Sequence, residues 1–401
     1  MADQSDRIRQ EVEAAFVEVD DAFWDDPTTI FGSESDKKRH LFGHLKRLSN
    51  DWDRPGKCMY RGCTSPSIRR SHAIHRAGSI ERIAEDQHVL TPMLNSKGEI
   101  GMGHIGIKLA STFPGFCVEH ERLFAEFETA GSVSSERHVV LQAYRSLCRE
   151  TARKDHQIRG LERMLHQYRK ARQDHYAKSI QQTLPGATFE SLQVKGDAIE
   201  EAVTTMLNGA KADLAELRGD LHDQLFSYIR GEPQEPSVQA LSIPIEVPVS
   251  LSGFGVLTYK REDDKNERTC RALCLLGILP QQGFTVAFFG ADRRHADAVE
   301  AYRSSMMHGF NGLNAMESWM TNGSDHWFIR PSAWAALPQH RQEKVLQLLM
   351  SEDENIGTML NFSILDEARR AIITMIEDHI DQAVDRVRVL EMVSKEAAKM
   401  T

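Results

Sequence analysis

KCMYRGC (residues 57–63) and GFCVEH (residues 115–120) are the two phrases on which the reading of this chain turns. The first holds Cys58 and Cys63 as C-x4-C, the second Cys117 and His120 as C-x2-H. In the first phrase Arg61-Gly62 supplies a tight turn that brings both sulfurs to one side, because glycine takes φ > 0 without strain. In the second, spacing i, i+3 puts both side chains on one face of a helix's first turn, and ERLFAEFE (121–128) continues that helix. Three thiolates and one imidazole form the donor set of a closed structural zinc site. The layout of knuckle, hairpin and helix predicts a small module over residues 50–134. His75 is an alternative fourth ligand in place of His120.

Outward from this module, residues 5–24 space Val12, Ala15, Phe16, Val19, Phe23 and Trp24 at helical intervals among acids, and a short basic helix is expected near 36–49. Together these make a first segment, 1–49. Residues 135–232 carry two long apolar stripes. Ile158, Leu161, Leu165 and Tyr168 form one; Ile199, Val203, Met206, Ala210, Leu214, Leu217, Leu221, Leu225 and Tyr228 form the other. Intervals of three and four mark a helical seam, and Leu184-Pro185-Gly186 between the stripes predicts an antiparallel hairpin. Pro233 and Pro236 end it.

Residues 237–401 change texture. IPIEVPVSLSGFGVLTYK (243–260) and GFTVAFFG (283–290) read as strands, RTCRALCLLGIL (268–279) as a short helix or buried strand. Helices are expected at about 293–306, 331–351 and 363–399, giving a small α+β domain with a terminal helix returning to the hairpin. The fold class expected is therefore α+β, mostly α.

Among the 401 residues, six cysteines clustered in this way favour metal over disulfides. The sequence shows neither a membrane-span run nor a signal pattern, so a cytoplasmic protein without membrane contact is expected. Net charge is −9, which argues against indiscriminate coating of nucleic acid. The charge is uneven: residues 37–90 hold twelve Lys/Arg against five acids, and 137–178 hold eleven against four, each +7. Residues 190–235 hold four bases against ten acids, or −6. The second basic block and the acidic one flank the two expected hairpin helices, so they can pair with each other.

Other signals are weak. Gly101–Gly106 fits G-x-G-x-x-G but lies inside the zinc module, and hairpin turns explain it. Cys270 and Cys274 read as core cysteines. NGSDHWFIRPSAW (322–334) reads as a turn entering an aromatic strand, with Pro331 opening a helix.

Cys58, Cys63, RRSHAIHR (69–76), Cys117 and His120 together resemble the treble-clef module of the zinc-containing HNH endonucleases, over about 70 of the 401 residues. The phrase SHAIHR with the following SIERIAEDQ is similar to bacterial proteins of no assigned activity that carry C-x4-C, SH and FC-x2-HD phrases. The endonuclease resemblance implies that His72 is the general base. It implies that Glu121, in the place of the family's last metal ligand, helps hold Mg2+ or Mn2+, and that Arg69, Arg70 and Arg76 hold phosphates of DNA or RNA. It also suggests a phage-defence role. The chain departs from the family at Ser111, where an asparagine is usual, and at Glu121, where a histidine is usual. His104 is a further, weaker candidate. Beside this degenerate-nuclease reading stands a second one, a non-catalytic, zinc-stapled assembly protein. It would form a homodimer or bind a protein partner through the hairpin and the C-terminal domain.

Overall fold

The computed structural model describes residues 52, 54–95, 99–183, 197–233, 237–263, 266–351, 354–382 and 385–401. The expected helices of segment 1–49 and the Leu184–Gly186 loop lie outside the described residues. The architecture is mixed α+β and mostly helical, as expected. Two compact units form: Asp53–Ala152 with Ala215–Thr401, and Met1–Trp52 with Arg153–Leu214.

The larger unit is built on strands β1 (Ser71–His72), β2 (His88–Leu94), β3 (Ile100–Gly106), β4 (Thr112–Phe113), β5 (Val238–Ile243), β6 (Val249–Asp263), β7 (Asn266–Gln281), β8 (Phe284–Gly290) and β9 (Trp327–Ile329). β1 pairs only with β4; the others form one sheet in the order β3-β2-β9-β6-β7-β8-β5, every pair antiparallel. RTCRALCLLGIL, left open between helix and strand by its sequence, is the middle of β7. Its Cys274 is fully buried, as expected, whereas Cys270, also expected in the core, is only partly buried. The G-x-G-x-x-G phrase is plain strand β3.

Expected boundaries placed the zinc module and the C-terminal domain apart, yet β2 and β3 belong to the same sheet as β5–β9. Leu90 pairs with Ile329, and Thr91 Oγ1 donates to the Trp327 carbonyl at 2.8 Å. The cause is burial on both faces of β7. Cys274, Leu276 and Ile278 point into the main core. Leu273, Leu275 and Leu279 point the other way and are also buried. Gln281 shares that second face, where it donates to Ser79 Oγ at 3.0 Å and accepts from the Val133 N–H at 3.0 Å. The segments Arg76–Ile80 and Glu81–Ile83 of the zinc region pack there. Gly277 is needed on this strand, because a Cβ there would stand 2.1 Å from the Phe288 ring.

The helices in chain order are α1 (Val118–Glu121), α2 (Ala125–Ala130), α3 (Glu136–Thr183), α4 (Ala198–Leu217), α5 (Asp220–Ile229), α6 (Ala296–Met306), α7 (Asn311–Ser318), α8 (Pro331–Ala335), α9 (Gln339–Leu348), α10 (Asp366–Glu377) and α11 (Arg386–Ala398). No described helix is long and apolar enough to cross a membrane. Val299 and Met306 of α6, Leu313 and Met316 of α7, Trp334 and Val345 join the main core. NGSDHWFIRPSAW behaves as expected: β9 is buried and Pro331 opens α8.

The end of this unit is tied down by charges. Arg369, wholly buried, pairs with Glu317 at 2.7 Å and with Glu396. Glu317 also accepts the Ile364 and Leu365 N–H groups at 2.8 and 2.9 Å. Arg341 holds Asp366 and the Met400 carbonyl, each at 2.9 Å. The terminal helix α11 is thus fixed to α7 and α10, the neighbours that hold its buried Glu396.

In the smaller unit, Ile158, Leu161 and Leu165 of α3 meet Val203, Leu207, Ala210 and Leu214 of α4, forming the expected antiparallel hairpin. Leu207 takes the seam position expected of Met206, which is exposed. The stripe does not continue unbroken to Tyr228: Gly219 caps a new helix, α5, whose residues belong to the larger unit. Basic and acidic flanks pair across the hairpin, as the charge blocks imply. Arg172 holds Asp197 at 2.6 Å and also Glu200; Lys154 holds Asp213 at 2.8 Å.

Removing one partner of a buried ion pair leaves the other charge uncompensated, which costs roughly 3–5 kcal/mol. Arg369→Ala should lower the unfolding free energy read from urea curves by that amount, whereas Arg303→Ala, whose pair with Glu300 is exposed, should leave it unchanged.

Candidate metal centre

The first knuckle is closed by a bridge between Lys57 and Pro66 and by the Cys58 N–H donating to the Ser65 carbonyl at 2.9 Å. Within it, the Cys63 N–H reaches the Tyr60 carbonyl at 3.0 Å and Gly62 sits at φ +83°, as the Arg-Gly turn predicts. Cys117 caps α1, and the Glu121 N–H donates back to its carbonyl at 2.9 Å, so His120 falls on the same side one turn later. The Met59 N–H bonds the Gly115 carbonyl at 2.8 Å, which joins the two knuckles.

The ligand atoms of Cys58, Cys63, Cys117 and His120 all lie within 4.8 Å of one another. His120 Nδ1 stands 3.2 Å from Cys117 Sγ and 3.5 Å from Cys58 Sγ. Zinc–sulfur bonds of ~2.3 Å in a tetrahedron separate donors by roughly 3.5–3.8 Å, so little adjustment is required. His120 is the fourth donor of the group, not His75. The Tyr60 ring stacks on His120 at 3.9 Å and 8°, and Phe226 of α5 meets Tyr60 edge-on at 5.0 Å. Burial pushes the Cys58 thiol up to about 11, while a hydrogen bond from the Ser65 backbone lowers Cys63. A buried thiol with so raised a pKa becomes a thiolate at neutral pH only beside a compensating cation. The donor set and its burial are thus compatible with structural zinc.

A short strand pair and a helix lie next to this centre. β1 pairs with β4 through Ser71↔Phe113 and His72↔Thr112, and α1 follows. Ser111 sits at φ +60°, a conformation asparagine tolerates better than serine, and bonds both Ala73 and Ile74 N–H groups. His72 is mostly buried and its Nε2 has no hydrogen-bond partner. Burial, then the nearby charges of Arg145 and Arg76, push its pKa down to about 4. His75 is fully buried, both ring nitrogens lack partners, and burial pushes it down to about 4 as well. Its ring stands edge-on to Phe127 at 5.3 Å.

Glu121 is paired with Arg145, which also holds Glu128 at 2.6 Å and lies 4.5 Å over the Phe124 ring. Arg145 is 1% exposed, so this is an interior guanidinium between two carboxylates. The other Glu121 oxygen is buried without a partner. Arg69, Arg70 and Arg76 are exposed, and Arg76 pairs with Glu81 at 3.2 Å. His104 is exposed on β3, beside His88. Neither Arg145 nor Tyr60 was singled out from sequence. The only signal for Arg145 is one cation inside the apolar run VVLQAYRSLC (139–148).

His72 and His75 give a stability prediction. The unfolded chain protonates histidine near pH 6.5, the folded chain only near 4, so the unfolded state binds more protons in between. Their contribution is full above about pH 6.5 and fades as pH falls to 4, by up to roughly 3 kcal/mol for each. Urea midpoints measured from pH 7 to pH 5 should fall more steeply for the parent than for a His72→Gln/His75→Gln variant; parallel profiles would contradict this. No protein-family model, no curated protein and no solved structure matches the chain.

Proposed function

We propose that this chain is a zinc-stapled, non-hydrolytic scaffold protein in which an HNH-like frame serves as a structural and interaction module. The reading rests on Arg145. A divalent cation bound at Glu121 would share that carboxylate with a buried guanidinium, and two cations at that distance repel strongly where water is scarce. Glu121 and Glu128 already neutralise the guanidinium, so the interior charge is met without a metal. His72, held neutral by burial and by Arg145, is a weak base. In this reading zinc at Cys58, Cys63, Cys117 and His120 fixes the knuckles, and with them the segment that covers β7. Assembly through the hairpin or the C-terminal region is the interaction that the scaffold would serve.

The test is direct. The purified chain should carry about one zinc per molecule by elemental analysis, and Cys117→Ser should lose both the metal and cooperative unfolding. With Mg2+ or Mn2+ it should leave plasmid, single-stranded DNA and RNA intact. Metal-dependent cleavage abolished by His72→Ala would overturn the proposal and restore the nuclease reading. Full stability of a metal-free chain would remove the staple.

A further inference from the structure

The far end of the β6–β7 ribbon carries a second cluster, outside the metal centre. A cavity of about 450 Å3 opens there, lined by Tyr259, Lys260, Arg261, Arg294, His295 and Asp297, with Leu257, Ala298 and Tyr302 as its apolar wall. Its volume is within the range of small-ligand sites. Three cations and one carboxylate line it, and burial followed by the Arg294 charge keeps His295 neutral by lowering its pKa.

The hydrogen bonds fix which way the donors face. Arg294 Nε–H donates to His295 Nε2 at 2.9 Å; a guanidinium only donates, so Nε2 holds the lone pair. The proton of the neutral ring is then on Nδ1, which donates to Tyr259 Oη at 2.9 Å. Tyr259 Oη is thereby an acceptor toward His295, and its own O–H can turn either to the Cys270 thiol beside it or to an acceptor in the cavity. Arg294 also pairs with Glu216 at 3.1 Å and lies 3.9 Å from Asp292.

We infer that this cavity binds a small phosphorylated molecule. Its phosphate would be received by the Tyr259 hydroxyl, Arg261 and Arg294, and its apolar body would rest against Leu257, Ala298 and Tyr302. The unprotonated oxygens of a phosphate group accept hydrogen bonds, which suits the cations of the wall, and Asp297 is the one carboxylate it would have to avoid.

Phenyl phosphate and inorganic phosphate, titrated calorimetrically into the full-length chain at low salt, test this. Both should saturate, with phenyl phosphate the tighter because of the apolar wall. Tyr259→Phe, which removes only a hydroxyl, and Arg261→Ala should each weaken binding at least about fivefold, a loss on the scale of one charge-assisted hydrogen bond. Their urea midpoints should remain those of the parent. Arg122→Ala, an exposed cation elsewhere, should bind like the parent. The proposal is overturned by the absence of saturation at about 10 mM ligand, which corresponds to a free energy weaker than about 3 kcal/mol. It is equally overturned if Arg122→Ala weakens binding as much as Arg261→Ala does.

Discussion

Strand β7 is apolar on both faces, and a strand of that kind is stable only when both faces are covered. Helices α6 to α9 and the tryptophans Trp319 and Trp327 cover one. The other is covered by residues from the zinc region, pinned through Gln281 to Ser79 and Val133. In the proposed stapled reading, a metal held by Cys58, Cys63, Cys117 and His120 would therefore do more than close a small loop: by fixing the knuckles and α1 it would set the position of the segment on which the second face of the sheet rests. The β2–β3 hairpin then extends the sheet beyond β9, so the module and the sheet are one body.

The parts of the fold that were legible in sequence depend on short-range order. Cys58 with Cys63 and Cys117 with His120 are each close enough for local geometry to orient both donors, and the structure gathers all four. The hairpin was legible through its stripes and opposite charge blocks, and Arg172–Asp197 is one place where those blocks meet. Sequence failed where distance in the chain is large. Nothing near Leu90 announces that it will pair with Ile329. Met206 and Leu207 are adjacent apolar residues, and only packing decides which one faces the seam.

Arg145 illustrates a different kind of blindness. Periodicity marks its helix turn as core, and a cation there looks like an exception to the pattern. Its meaning comes from partners on other elements, Glu121 and Glu128, and from the Phe124 face beneath it. The motif-level resemblance draws attention to His72 and Glu121 but is silent about the residue that neutralises them. Residue types at fixed spacing therefore do not by themselves describe the electrostatics around them, which Arg145 sets here.

The strand order also dictates a sequence of events during synthesis. The four clustered side chains span residues 58–120 and leave the ribosome together, so their module can close while the sheet is still incomplete. β2, by contrast, waits for β9, more than two hundred residues later, and β7 emerges with one of its faces already provided for. If the cluster holds its zinc as proposed, a chain starved of metal would meet the same moment with β7 bare on that side, and its earliest failure would be self-association of nascent or refolding chains, well before any loss of a finished structure.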